Sequence, residues 1–245
     1  MLEPIVLYEI PGNPSPAAPT GSWNPNCWKT RYTLSIKALP YRTVWVEYPY
    51  IEALYKKVGA EAVEKRADGS PYYSLPAIYD PNTGKFVAES GTIARYIDAA
   101  YPETYISSPR RQTRCTLPSR MRTSMPVSAA HFLATREATY GSFDEFAPQG
   151  SEKRSKHWEG LREIYQTFAG WLKADGKKDK LFFMSERISY ADVSVAGFLS
   201  WMRRIFGEES GECREIIAWD GGRWKRFMDA FAKYEAMDVG SEFEP

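Results

Sequence analysis

The chain has 245 residues, 43% of them hydrophobic and 15% aromatic, with 32 Lys and Arg against 31 Asp and Glu. That length suits one large or two small domains with a proper core, and the formal net charge of +1 argues against nucleic acid as the main partner. No apolar run reaches the length of a membrane span. The opening MLEPIVLYEI lacks the basic start and long apolar stretch of a signal peptide. Three cysteines, Cys27, Cys115 and Cys213, without a C-x-x-C pair give neither a disulfide framework nor a zinc site, and a reducing cytoplasm is the expected compartment.

Pro4 to Ile10 reads as a first strand, with Ile5, Val6 and Leu7 as a buried run. The stretch PGNPSPAAPTGSWNPN that follows is loop, long for a strand-to-helix connection. A helix starts at Asn24-Pro25, an N-cap residue before Pro at the first helical position. Trp28, Tyr32, Ser35 and Ile36 line one face of it; Lys29, Thr30, Arg31 and Thr33 fill the others, and Pro40 ends it. Tyr41 to Val46 alternates and is the second strand. Between Tyr48 and Tyr73 the spacing predicts two helical pieces, Ile51 to Val58 and Glu61 to Ala67, split by Gly59.

The stretch SLPAIYDPNTGKFVAESGTIARYIDAAY, Ser74 to Tyr101, organises the rest. Ala77 to Tyr79 and Lys85 to Ala88 predict a hairpin turning at Asp80-Pro81-Asn82-Thr83-Gly84. Glu89-Ser90 opens an amphipathic helix whose buried face is Ile93, Ala94, Ile97 and Ala100. Pro76 at the start of a strand is a site for a cis peptide bond. A cis bond there turns the Leu75 N–H and C=O outward, where an extended peptide ligand can pair like an added strand. Ser90 sits at or beside an N-cap, where free N–H groups and the helix dipole favour a carboxylate. Glu89 beside it suits a ligand ammonium. The bland reading of the same residues is an ordinary turn proline and an ordinary cap.

S-L-P-A-I followed by E-S-x-x-I-x-x-Y-I resembles the N-terminal, thioredoxin-like domain of the glutathione transferases. The resemblance implies an α/β thioredoxin-like domain over residues 1–105 and an all-helical domain over 106–245. It also implies glutathione as co-substrate, bound through Leu75, Pro76, Glu89 and Ser90, and a homodimer. After Tyr101 the pattern is indeed helical. Arg110, Arg111, Arg114, Arg120 and Arg122 form a dispersed basic group, read either as a solvated face or as a group that attracts an anionic tripeptide or a second subunit. Trp158, Leu161, Ile164, Tyr165, Phe168, Trp171 and Leu172 predict an amphipathic helix. Ser189-Tyr190-Ala191-Asp192 has capping-box spacing and opens Val193 to Phe206, apolar nearly all round and so expected to be central. A last helix carries Trp224, Phe227, Met228 and Phe231.

Glutathione chemistry requires a thiolate, held by a hydrogen-bond donor and a helix N-terminus. In the serine and cysteine members of the family the reactive residue precedes a stretch ending in x-[KR]-x-[KR]. Aligning Lys29 and Arg31 places it at Asn24, where the family has Ser. An Asn amide donates but does not ionise. Asn24 is therefore either the thiolate donor or only an N-cap, with Ser22 as the alternative activating residue and Cys27 as a buried apolar one. The pattern W-x-P-N-x-W-K-T-R is similar to the fungal etherase-related transferases, the fungal-specific A class, which implies aromatic or phenolic ligands. Trp23 borders both the glutathione position and the aromatic one. Met121, Met125, Phe132 and Tyr140 are the helical candidates for the aromatic site, each with a plain core stripe as its other reading. The expected activity is thiolate attack on aromatic or hydrophobic electrophiles, by conjugation or by aryl-ether or peroxide reduction. The alternative is a non-catalytic carrier (ligandin) that binds glutathione and flat aromatics. No metal, nucleic acid or membrane partner is expected.

Overall fold

A computed structural model describes residues 2–12, 21–102, 125–173, 179–238 and 240–245. Strand β1 (Ile5–Glu9) pairs in parallel with β2 (Tyr41–Trp45) across helix α1 (Pro25–Ile36). On its other side β1 pairs antiparallel with β5 (Ala77–Asp80), which turns into β6 (Lys85–Ala88) and then α3 (Ser90–Ala100). This is the predicted thioredoxin-like order. The second half is helical: α4 (Met125–Tyr140), α5 (Phe143–Phe146), α6 (Glu152–Lys173), α7 (Tyr190–Phe206) and α8 (Gly211–Phe231). The expected boundary near residue 105 lies outside the described residues, as do Met121 and the arginines between 110 and 122.

Several elements differ from the sequence reading. Helix α2 (Ile51–Val58) ends at Gly59 in the left-handed conformation, as expected. Glu61 to Ala67 is not a second helix: β3 (Glu64–Lys65) pairs with β4 (Pro71–Tyr72) instead. The Asp68-Gly69-Ser70 turn decides this. Asp68 Oδ1 accepts from the Ser70 N–H at 2.9 Å and Gly69 takes φ +82°. A short strand β7 (Ser241–Glu242) adds to the sheet beside β2, giving the order β6-β5-β1-β2-β7. Two residues are too weak a pattern to read from sequence. Ile164 and Trp171, placed on the inner face of α6 by spacing, are 51% and 60% exposed; Tyr165, Ala169 and Leu172 carry that face. Helix α8 breaks at Trp219–Gly222, where the backbone leaves helical angles.

Alternation splits the sheet cleanly. Ile5 and Leu7 join Ile78, Ile93 and Ile97 on the α1–α3 face, while Val6, Ile10, Val44 and Val46 pack under Ile51, Leu54 and Tyr55 of α2. Trp28 and Tyr32 of α1 belong to a different cluster, the helical core of Tyr165, Leu172, Val193, Leu199, Trp224, Phe227 and Phe231. The two domains thus share one apolar core through α1, which fixes where the start of α1 points. Gly197 of α7 allows this approach. A Cβ there would lie 2.8 Å from the Pro25 carbonyl oxygen and 3.1 Å from Lys29 Cγ.

Helix α1 is buried almost all round, Arg31 included, because it lies between sheet and α7. Arg31 Nε donates to Glu9 Oε2 at 2.6 Å with both side chains at 0% exposure. Its Nη2 donates to Thr43 Oγ1 at 3.0 Å, and Thr43 in turn donates to Asp238 Oδ1 at 2.6 Å. Burial works against the Arg31 charge, but Glu9, with Tyr41 and Asp238, outweighs it and pushes the guanidinium pKa up.

Candidate functional site

The C-terminal end of β1 collects the predicted residues. Because β5 runs antiparallel to β1 and Ala77 pairs with Tyr8, the Leu75-Pro76 corner lies at the same end of the sheet as the loop leading to Asn24. The Leu75-Pro76 bond is cis. Among the described residues, the Leu75 N–H and C=O make no backbone hydrogen bond. The Glu89 N–H donates to the Pro76 carbonyl at 3.2 Å, which ties the start of α3 to that corner.

Glu89, not Ser90, is the N-cap of α3. Its Oε1 accepts from Gly91 N at 2.9 Å and its Oε2 from Thr92 N at 2.8 Å. Burial pushes the Glu89 carboxyl up, but these two N–H donors, with the Thr92 and Ser90 hydroxyls, more than reverse it and hold the pKa below the usual range. Glu89 also has φ +71°, a region that costs a non-glycine residue about 1–3 kcal/mol and that gathers at functional sites. Ser90 is buried at 4% exposure, and the Tyr190 hydroxyl at the start of α7 lies 3.0 Å from its Oγ. A cavity of about 990 Å³ on the α2 face of the sheet, lined by Tyr8, Tyr55, Tyr79 and Phe86, reaches Glu89 and Thr92. It does not include Asn24 or Trp23.

Asn24 caps α1: its Oδ1 accepts from Asn26 N at 2.9 Å and Cys27 N at 3.2 Å. The cap uses the amide oxygen and leaves the Nδ2 donor to a second partner. Ser22 is 1% exposed and its hydroxyl donates to Glu9 Oε1, inside the buried ion pair with Arg31. Cys27 is fully buried, and burial, reinforced by Glu9, raises its thiol pKa well above the usual value. That is the inert reading of this cysteine. Lys29 projects from the next turn, its Nζ 2.9 Å from Asn26 Oδ1 and 5.0 Å from the Phe198 ring centroid.

Trp23 and Phe132 meet edge to face, with ring centroids 5.8 Å apart at 88°. The indole donates to the Pro11 carbonyl at 3.2 Å and lies on Gly12, where any Cβ would come within 2.0 Å of Trp23 Cδ1. Three partners here escaped the sequence reading. Tyr48 packs on Phe132 with centroids 6.2 Å apart, His131 stacks on Tyr48 at 5.7 Å, and the Arg136 guanidinium lies 5.3 Å from the Phe132 ring. Burial pushes the Tyr48 hydroxyl up to about 12, so it is a donor at neutral pH. The only available signal was the step from His131-Phe132 to Arg136 on one helix face. Met125 lies in α4, but its side chain and that of Tyr140 fall outside the described residues.

The comparisons agree with this geometry. Residues 23–100 match the family profile described as "Glutathione S-transferase, N-terminal domain" and residues 97–234 match "Glutathione S-transferase, C-terminal domain". A glutathione S-transferase of Ceriporiopsis subvermispora, CsGST63524, solved in complex with glutathione, is 39% identical with a TM-score of 0.83, over 96% of this chain and 99% of that one. Glutathione transferase GSTFuA3 of Phanerochaete chrysosporium is 36% identical with a TM-score of 0.81, over 97% and 100%. The glutathione S-transferase-like protein ustS of Aspergillus flavus is 25% identical over 240 residues, 87% of this chain and 85% of that protein. Among the described residues no helix is long and apolar enough to cross a membrane. With both halves matched and the thioredoxin-like and helical parts in their expected order, the chain belongs to the glutathione S-transferase family.

Proposed function

We propose that this protein is a glutathione transferase of the fungal etherase-related kind, which turns the glutathione thiolate on aromatic or hydrophobic electrophiles. The observation that carries the reading is the bond from Glu89 N–H to the Pro76 carbonyl at 3.2 Å, which joins the cis corner and the α3 N-terminus into one site. Leu75 pairs its backbone with the cysteinyl residue of the tripeptide. Ser90 takes the γ-glutamyl carboxylate, helped by the α3 dipole. Glu89, held ionised, takes the ammonium.

At the sulfur, Asn24 does two jobs in this reading. Its oxygen caps α1 while its Nδ2 donates to the thiolate, and the α1 dipole supplies the rest of the stabilisation. Ser22 is committed to Glu9, which supports Asn24 as the activating residue. In conjugation the sulfur lone pair forms a C–S bond at the electrophilic carbon and the leaving group departs with the bonding pair. For an aryl ether that group is the phenolate. Trp23, Phe132 and Tyr48 hold the aromatic ring. The junction between the two domains is placed near residue 105, and the working form is a homodimer in the cytoplasm, which a monomeric mass by light scattering at tens of micromolar would refute.

One observation favours a second reading, a carrier that binds glutathione and flat aromatics without turnover. Asn24 cannot ionise, and its oxygen is already used as a cap. Turnover with a panel of electrophiles, set against displacement of a fluorescent aromatic dye, separates the two. Dye displacement with no turnover on any electrophile selects the carrier.

A further inference from the structure

We propose that Tyr190, from the helical domain, is a positioning residue for the γ-glutamyl carboxylate, acting through Ser90. The inference rests on the glutathione site proposed above. The first turn of α3 has few donors left for an anion. Glu89 N–H is spent on Pro76, Gly91 and Thr92 N–H on the Glu89 carboxylate, and Ile93 N–H on the Glu89 carbonyl at 2.8 Å. Among the described residues, the Ser90 N–H is the one backbone donor of that turn without a partner. As a donor, the Ser90 hydroxyl makes only a long contact among the described residues, 3.3 Å to Glu89 Oε1. A carboxylate arriving here therefore meets two donors, both on Ser90.

The direction of the Ser90 proton decides whether both are usable. A serine hydroxyl has one proton and two lone pairs. With its proton toward Glu89, Ser90 accepts from the Tyr190 hydroxyl at 3.0 Å. Tyr190 thereby occupies a lone pair and keeps the Ser90 proton off its own side. When a ligand carboxylate binds, that proton exchanges the 3.3 Å contact for a short charge-assisted bond, and the Tyr190 bond polarises it further. Burial pushes the Tyr190 hydroxyl pKa up, so it keeps the proton it donates.

Tyr190 is held for this task. It is the first residue of α7, set by a capping box in which Asp192 Oδ2 accepts from Ser189 N at 2.8 Å and from the Ser189 hydroxyl at 2.6 Å. Asp192 is fully buried, and its Oδ1 accepts from Phe183 N at 2.9 Å. Gly197, two turns on, presses α7 against the first turns of α1. The helical domain thus reads the glutathione site directly as well as lining the aromatic one.

The test is calorimetry with two ligands: glutathione, and the same tripeptide with the γ-glutamyl α-carboxylate removed. Four proteins are compared, wild type, Tyr190→Phe, Ser90→Ala and the double variant. Tyr190→Phe keeps the ring, so a melting temperature within a few degrees of wild type checks the fold. The expected result is a loss of roughly threefold to tenfold in glutathione affinity for Tyr190→Phe. The decarboxylated analogue should bind wild type and Tyr190→Phe equally, and Tyr190→Phe should add nothing once Ser90 is Ala. Equal weakening of both ligands, additive effects, or unchanged glutathione affinity each overturns the role of Tyr190. Wild type that fails to bind millimolar glutathione overturns the site itself, a different and separable result.

Discussion

Glu9→Gln tests the buried foundation of the site. The substitution is nearly isosteric, so it removes charge with little change in volume. Arg31 then keeps its guanidinium at 0% exposure with neutral partners only, the introduced amide oxygen and Thr43 Oγ1, while among the described residues Nη1 has no partner. Breaking a buried ion pair from one side costs about 3–5 kcal/mol. Against a total stability of about 5–15 kcal/mol, that is a large fraction. Replacing the pair together, as Glu9→Leu with Arg31→Met, should be close to neutral once Ser22→Ala also removes the hydroxyl that donates to Glu9. Equilibrium urea unfolding reads this as a lower midpoint at constant slope for Glu9→Gln, and near recovery for the triple variant. A single-variant loss below about 1 kcal/mol would contradict the reasoning, because the buried charge would then have found another partner. The result matters for function: Ser22 stands two residues before Asn24, so Glu9 anchors the loop that carries it.

Ser90→Ala and Glu89→Ala should each weaken glutathione roughly tenfold or more, since each removes a charge-assisted bond worth about 1.5–3 kcal/mol; calorimetry giving wild-type affinity for both refutes the placement. The lowered Glu89 pKa implies a stability contribution present in full above about pH 4.3 and lost as pH falls through its folded value. Acid unfolding of Glu89→Gln should lack that component, and profiles of equal slope would count against it. Phe132→Ala removes an edge contact with Trp23 worth about 0.5–1.5 kcal/mol, so a fluorescent aromatic dye should bind severalfold more weakly while glutathione binds unchanged. Equal loss of both ligands would mean that Phe132 is core.

What could be read from the sequence was local. Asn24-Pro25 announces its cap, and the hairpin turn at Asp80 to Gly84 announces itself because turn chemistry is short-range. Pro76 with Glu89-Ser90 carried the candidate site, although the exchange of cap duty from Ser90 to Glu89 needed the backbone angle at Glu89. The unread parts depend on contacts distant in sequence. Arg31 read only as a residue off the apolar face of its helix because its partner Glu9 stands 22 residues away, and the far side of α1 is covered by α7, some 165 residues later. Tyr48 and His131 meet across 83 residues with no periodic pattern to join them. The hairpin of β3 and β4 was missed because two-residue strands leave almost no alternation to count.

The role of Asn24 is tested most directly by titrating the thiolate absorbance of bound glutathione in wild type, Asn24→Ser and Asn24→Ala. Ser and Asn are near-equal caps, so Asn24→Ser should leave stability almost unchanged, whereas Asn24→Ala should lose about 1 kcal/mol. A serine hydroxyl approaches the sulfur closely, and an alanine offers no donor. The expected order of thiol pKa is therefore Asn24→Ser lowest, wild type between, Asn24→Ala highest, with conjugation turnover rising as the pKa falls. Three coincident curves, with Ser22→Ala shifting the titration instead, would contradict it and leave Asn24 as a helix cap alone.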